Sequence, residues 1–175
     1  MDKTTISGHD ILTKSGTIES VGNANVTSHY SDFAAVNFTD GEAIRHRVLA
    51  EGAISGLVSP DTSGRFFFAP WGNKRVLLAV DLDGRGRRTA DPRYFSRARN
   101  VSICLFVACL PFLGLFALSL AFGAIGVVIT GVALLIAIQP LRQAVVFGRM
   151  AKMIEALDKD RQVQVVPEAV GPVVV

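Results

Sequence analysis

Not one Asp, Glu, Lys or Arg occurs between Arg99 and Arg142. A surface helix of a soluble domain carries charge on its outer face, so this stretch is excluded from that role. The same gap speaks against a transport path or ion pore, which places polar or ionisable groups within the bilayer. Cysteine is nearly missing: Cys104 and Cys109 are the only two, and both lie inside the uncharged run. Their spacing is too far round a helix for an easy bond, so they read as small apolar packing residues. No disulfide framework staples the rest of the chain, which fits a reducing compartment. The segment Met1 to Asp10 contains no apolar run, which excludes a cleaved secretion signal there.

Chemistry-bearing patterns are missing too. There is no Gly-x-Ser-x-Gly elbow, no His-Glu-x-x-His, no Cys–His signature and no phosphate-cradling glycine loop. Gly84-Arg85-Gly86-Arg87-Arg88 is glycine-rich but lacks the Lys-Ser/Thr and strand-to-helix setting of a phosphate loop, so it reads as a flexible, lipid-facing linker. His9, His29 and His46 have no second ligand at metal spacing. The sequence predicts no catalytic residue, no cofactor and no metal.

What is present divides sharply along the chain. Half the residues (50%) are hydrophobic, but Met1 to Arg99 has ordinary polar content. Met1 to Gly84 carries seven basic and ten acidic side chains, a net of −3. Arg85, Arg87, Arg88, Arg93, Arg97 and Arg99 then follow, against Asp91 alone. This is a membrane-proximal collar, assigned to lipid headgroups. It is not a folded basic face interleaved with aromatics, and no nucleic-acid partner is expected. The predicted organisation is a cytoplasmic β-rich domain over 1–84, a basic juxtamembrane linker and helix start over 85–99, and a transmembrane hairpin over 100–140. An amphipathic cytoplasmic helix over 141–160 and a tail over 161–175, flexible or strand-adding, complete it.

The uncharged run is about twice the ~20 residues that one span needs. Two helices fit, from Tyr94 or Arg97 to Leu118 and from Ala121 or Phe122 to Gln139, with a turn within Leu118 to Gly123. Asp91-Pro92 suits a helix start, and Pro111 predicts a kink. Ser119, Gly123, Gly126 and Thr130 are the small residues assigned to helix packing, within the hairpin or between copies. Arginines flank both ends while the turn is uncharged, so the positive-inside rule predicts a multi-pass inner-membrane protein with both termini cytoplasmic.

Ser7 to Leu82 reads as six or seven short strands, the size of a small SH3- or OB-like barrel or sandwich. The fold class expected is therefore all-β with an α-helical transmembrane hairpin. A three-residue Thr39-Asp40-Gly41 loop, with Gly41 left-handed, pairs Val36 with Ile44 and collects Ala34, Val36, Phe38, Ile44 and Val48 on the core face. His46 falls at the border of that face. Further strands are expected at Gly16 to Val21, Asn25 to Tyr30, Ala53 to Val58, Arg65 to Ala69 and Lys74 to Val80. In Phe66-Phe67-Phe68 alternation sets Phe67 opposite its neighbours, either core on a second face or a contact for a partner. Phe67 and Trp71, with outward Arg45 and Arg47, form the candidate partner-binding surface.

The expected role is a non-enzymatic membrane adaptor or regulatory subunit. Its β domain binds a protein partner or larger membrane complex, and its hairpin assembles, as a homo-oligomer, among membrane lipids. Two alternatives stand beside it: a membrane-anchored enzyme using residues such as His46 and Asp32 on a lipid or membrane-bound substrate, and a defence, immunity or exclusion factor acting on another membrane protein.

Overall fold

The computed structural model describes residues 2–6, 9–118 and 124–165. The chain divides into two compact units, Met1–Pro92 with Lys152–Val175, and Arg93–Ala151.

The first unit holds β1 (Asp2–Ile6), β2 (His9–Val21), β3 (Ala24–Val26), β4 (Tyr30–Phe33), β5 (Val36–Phe38), β6 (Ala43–Ile44) and β7 (Arg47–Glu51). After a short helix α1 (Gly52–Ser55) come β8 (Ser63–Trp71), β9 (Lys74–Leu82) and β10 (Gly86–Thr89). All ten strands belong to one sheet, ordered β3-β4-β7-β9-β8-β2-β5-β6, with β1 beside β2 and β10 beside β9. This mixed sheet does not close, in place of the expected barrel. Its parallel pair is β7 with β9: β8 and β9 form a hairpin, and β9 takes the place beside β7.

The β5–β6 hairpin has the register that its loop chemistry dictates. Val36 pairs with Ile44, the Phe38 N–H donates to the Glu42 carbonyl at 2.9 Å, and Gly41 takes a φ of 80°. Alternation misses the corners on either side. Ala34 and Ala35 carry the chain from β4, which pairs with β7, into β5, which pairs with β2. Arg45 and His46 form the matching corner between β6 and β7. Ala34 and His46 are therefore exposed, while Val36, Phe38, Ile44 and Val48 are buried as expected.

Two predicted strands are corrected by local capping. In place of the strand over Ala53 to Val58 the structure has α1 followed by a turn, because the Glu51 carboxylate accepts from the Ala53 N–H at 3.1 Å. Ile54 and Val58, four apart, are the residues buried there, which is a helical spacing. Over Asn25 to Tyr30 the chain turns at Thr27, whose Oγ1 accepts from the Tyr30 N–H at 3.1 Å and donates to its carbonyl at 2.8 Å. The result is a hairpin of β3 and β4.

The sheet is covered on both faces at its centre. Val76 to Val80 of β9 are all buried, a continuous run in place of alternation. Phe66 packs edge-on against Phe38 with centroids 5.5 Å apart, and Phe67 on the opposite face is only 3% exposed. Arg85 to Thr89 is no free linker: β10 pairs with β9, setting Arg87 opposite Asp81.

In the second unit α2 (Pro92–Leu118) starts at the predicted proline. Helix α3 (Ala124–Val165) runs 42 residues through Pro140, so the expected stop after Gln139 is absent and 161–165 are helical. The missing N–H at Pro140 costs one hydrogen bond, which the flanking turns carry. The predicted turn at Ser119 to Gly123 lies outside the described residues. Phe95 meets Phe147 at 6.4 Å between centroids, and the Arg99 stem lies 3.3 Å from where a Cβ on Gly148 would stand. Both contacts join α2 to α3 within the second unit, where Ser102 of α2 and Ala144 of α3 are also buried. Thr130, Ala137, Ala144 and Ala151 recur at heptad spacing on the inward stripe of α3. Elsewhere Val127, Val128, Val132, Leu135 and Ile136 of α3, and Val101, Leu105 and Val107 of α2, are exposed. Among the described residues Val127–Asp160 is the one helix long and apolar enough to cross a membrane.

Candidate functional site

Cross-strand register assembles a polar row on one face of the sheet. Trp71 of β8 pairs with Lys74 of β9, and Lys74 with Arg47 of β7. Asp32 of β4 pairs with Leu49, two residues beyond Arg47 on the same face, and with Asn25 of the outermost strand β3. The row thus reads Trp71, Lys74, Arg47, Asp32, Asn25 across five strands. Asp32 is 6% exposed and takes Arg47 through two nitrogens, Nε at 3.0 Å and Nη2 at 2.5 Å, with Lys74 Nζ at 3.5 Å. Arg47 and Lys74 are like charges directly opposite one another, an arrangement that destabilises a sheet unless a carboxylate lies between them. One carboxylate therefore serves two cations, and exposed Arg45 lies in the corner two residues before Arg47.

A second cluster surrounds Arg87, which is 7% exposed. Its Nη1 donates to the Leu157 carbonyl at 3.1 Å and to Asp160 at 3.3 Å, while Nη2 lies 3.6 Å from Asp81. The guanidinium also stands 4.9 Å over the Phe67 ring. This arginine fastens the last turns of α3 onto the sheet, where Ile154 and Leu157 are buried.

A third cluster is Lys14 of β2, buried against Phe38 and paired with Asp40 and, at 2.7 Å, with Glu42 of the β5–β6 loop. Burial pulls the Lys14 ammonium down, but hydrogen bonds to Asp40 and Glu42 outweigh it and hold its pKa above the ordinary value. The hydrogen bond from Lys14 lowers Asp40 and Glu42 in turn.

A cleft of about 410 Å³ is lined by Ser59, Asp61, Thr62, Ser63, Asp83 and Arg85 among others. Ser59 and Thr62 bond each other at 3.0 Å, Ser63 donates to Asp83 at 2.7 Å, and Asp61 takes a left-handed φ of 65°. Its hydroxyls and carboxylates bond one another, and no histidine is among the residues that line it. Of the residues named for the enzyme alternative, His46 is exposed in its corner and Asp32 is buried and engaged by Arg47 and Lys74. Among the described residues no three His, Cys, Asp or Glu converge as metal ligands.

The predicted docking residues are partly gathered. Arg45 and Arg47 are exposed at one end of the sheet, and Trp71 joins them through Lys74, half-buried. Phe67 is separated from them, buried beneath Arg87. Of the collar, Arg85, Arg88, Arg93 and Arg97 are exposed and Arg99 is half-buried, whereas Arg87 is turned into the protein. Its partners Leu157 and Asp160 are seventy and more residues away in sequence, which is why the charge pattern alone groups it with its neighbours. Of the packing residues, Ser119 and Gly123 lie outside the described residues, Gly126 stands near the start of α3, and Thr130 is half-buried. Asn25, Asp32 and Lys74 were missed as members of the row, since only the parallel β7–β9 pairing brings Lys74 beside Arg47. The chain matches no family model, and neither curated proteins nor solved structures give a match.

Proposed function

We propose that this protein is a membrane-anchored adaptor: α2 and α3 cross the inner membrane as a hairpin, and the β unit binds a protein partner on the cytoplasmic side. The observation that carries the reading is the exposure of apolar side chains around α3 between Val127 and Leu141, in a stretch without charge. Burying those side chains in hydrocarbon recovers about 1.5–3 kcal/mol for each large one, which water does not offer. Arg85, Arg88, Arg93, Arg97 and Arg99 meet anionic headgroups in this arrangement, and with Arg142 and Arg149 they keep both ends cytoplasmic. The small residues of the α3 stripe close the hairpin and leave its outer faces for a second copy or for a larger complex.

Expression followed by alkaline carbonate washing tests the anchor. The chain is expected to stay with the membrane and to be released by detergent; recovery in the wash rejects it. Chemical crosslinking in membranes, before extraction, tests the adaptor role. A partner band besides self-crosslinked product supports it, and a strictly uncrosslinked chain overturns it.

A further inference from the structure

The polar row on the sheet gives the partner a chemistry. We propose that the row formed by Trp71, Lys74 and Arg47, with Arg45 beside it, receives a short acidic peptide segment of the partner protein. The inference rests on the adaptor reading and names what that adaptor binds.

Three observations carry it. First, the row is built to hold carboxylate: Arg47 already grips Asp32 with two nitrogens at 3.0 and 2.5 Å, the fork geometry in which guanidinium recognises a carboxylate. Second, cations are in excess there. Arg47 and Lys74 share a single acid, and Asp32 is buried while the Arg47 side chain is 54% exposed. Arg45 is exposed with no ion pair among the described residues. Third, the cationic ground is small and set in an acidic domain, since Met1 to Gly84 carries a net −3. An extended polyanion, such as an anionic bilayer or a nucleic acid, meets that repulsion as soon as it extends past the row. A few carboxylates on one peptide fit inside it, within about one Debye length of ~10 Å. Trp71 at the end of the row supplies an aromatic edge of the kind enriched at protein contacts.

The test uses the full chain in phosphatidylcholine nanodiscs and a fluorescein-labelled twelve-residue peptide of alternating Glu and Gly, followed by anisotropy. Binding is expected at low salt and is expected to weaken as salt rises. Arg45→Glu and Lys74→Gln should each weaken it about tenfold, with Arg88→Glu on β10 leaving it within twofold. Arg45→Glu alters an exposed corner residue, so the fold is kept and its result decides. Equal losses from Arg45→Glu and Arg88→Glu would mean diffuse attraction and overturn the proposal. Tighter binding to phosphatidylserine-containing vesicles, or to a twelve-nucleotide RNA, than to the peptide also overturns it. Failure of the peptide while a partner still crosslinks in membranes rejects the acidic segment and leaves the adaptor standing. Absence of any crosslinked partner rejects the adaptor itself.

Discussion

A single arginine illustrates how side-chain surroundings, and not local sequence, decide a residue's part. Arg87 sits among exposed arginines, yet its guanidinium is spent on the Leu157 carbonyl, Asp160, Asp81 and the Phe67 face. A hydrogen bond from a charged group contributes about 1.5–3 kcal/mol and the cation over the ring about another 1, so Arg87→Ala should destabilise the β unit by about 2–4 kcal/mol. Hydrogen exchange should rise first over Lys152 to Asp160, with the β8–β9 hairpin keeping its protection. Arg88→Ala, at the next strand position and exposed, should change nothing measurable. Lys14 gives a pH signature. Asp40 and Glu42 are lowered, so their contribution is complete above the ordinary carboxylate range and is lost as pH falls through the lowered values. Lys14 is raised, so its contribution is complete below its ordinary value and is lost only as pH rises beyond about 10.5. Stability of the β5–β6 loop should therefore be flat across the neutral range and fall at both extremes. Lys14→Met should remove the dependence below pH 4, read from the amide shifts of residues 40–42.

At the scale of elements, what could be read from the chain is what neighbours in sequence determine. The β5–β6 register followed from three loop residues and came out residue for residue, Val36 on Ile44. The strand predicted over Ala53 to Val58 failed because its alternation was weak and Glu51 caps a turn that only the descending β7 brings into place. Likewise, the length of the uncharged run sets the end of the second span at Gln139, but α3 continues through Pro140 and Arg142. A proline removes one N–H and not a helix, when tertiary contacts hold the turns on either side. The α2–α3 contact offers a direct check. In a background with Cys104→Ser and Cys109→Ser, the pair Phe95→Cys and Phe147→Cys, replacing rings 6.4 Å apart, should be joined within one chain by a short thiol-reactive crosslinker, seen as a mobility shift. Phe95→Cys with exposed Val127→Cys, about 30 Å further along α3, should not.

For the molecule as a whole, the charge partition forecast the β-rich and apolar parts, and the structure has both. The open sheet was not legible, because its order depends on β9 entering between β7 and β8 from a later hairpin. The row of Trp71, Lys74, Arg47, Asp32 and Asn25 shares that cause, since its members are drawn from five separate strands. The return of α3 to the first unit was equally hidden, because no local pattern at Leu157 announces Arg87. That return makes a whole-chain prediction: ending the chain after Ala151 should lower the denaturant midpoint of the β unit about as much as Arg87→Ala does. Combining the two should cost little more than either, the non-additivity expected of changes that remove one shared contact.

The discontinuity of the first unit also orders events during synthesis. Residues Met1–Pro92 leave the ribosome well before Lys152 does, at roughly 5–20 residues per second, so several seconds pass in which Arg87 and Phe67 have no cover. The sheet is thus completed from the far end of the chain, after the uncharged stretch has been made. Completion of that stretch becomes a checkpoint for the domain that preceded it, and a chain halted within it presents an unfinished sheet to the quality-control machinery.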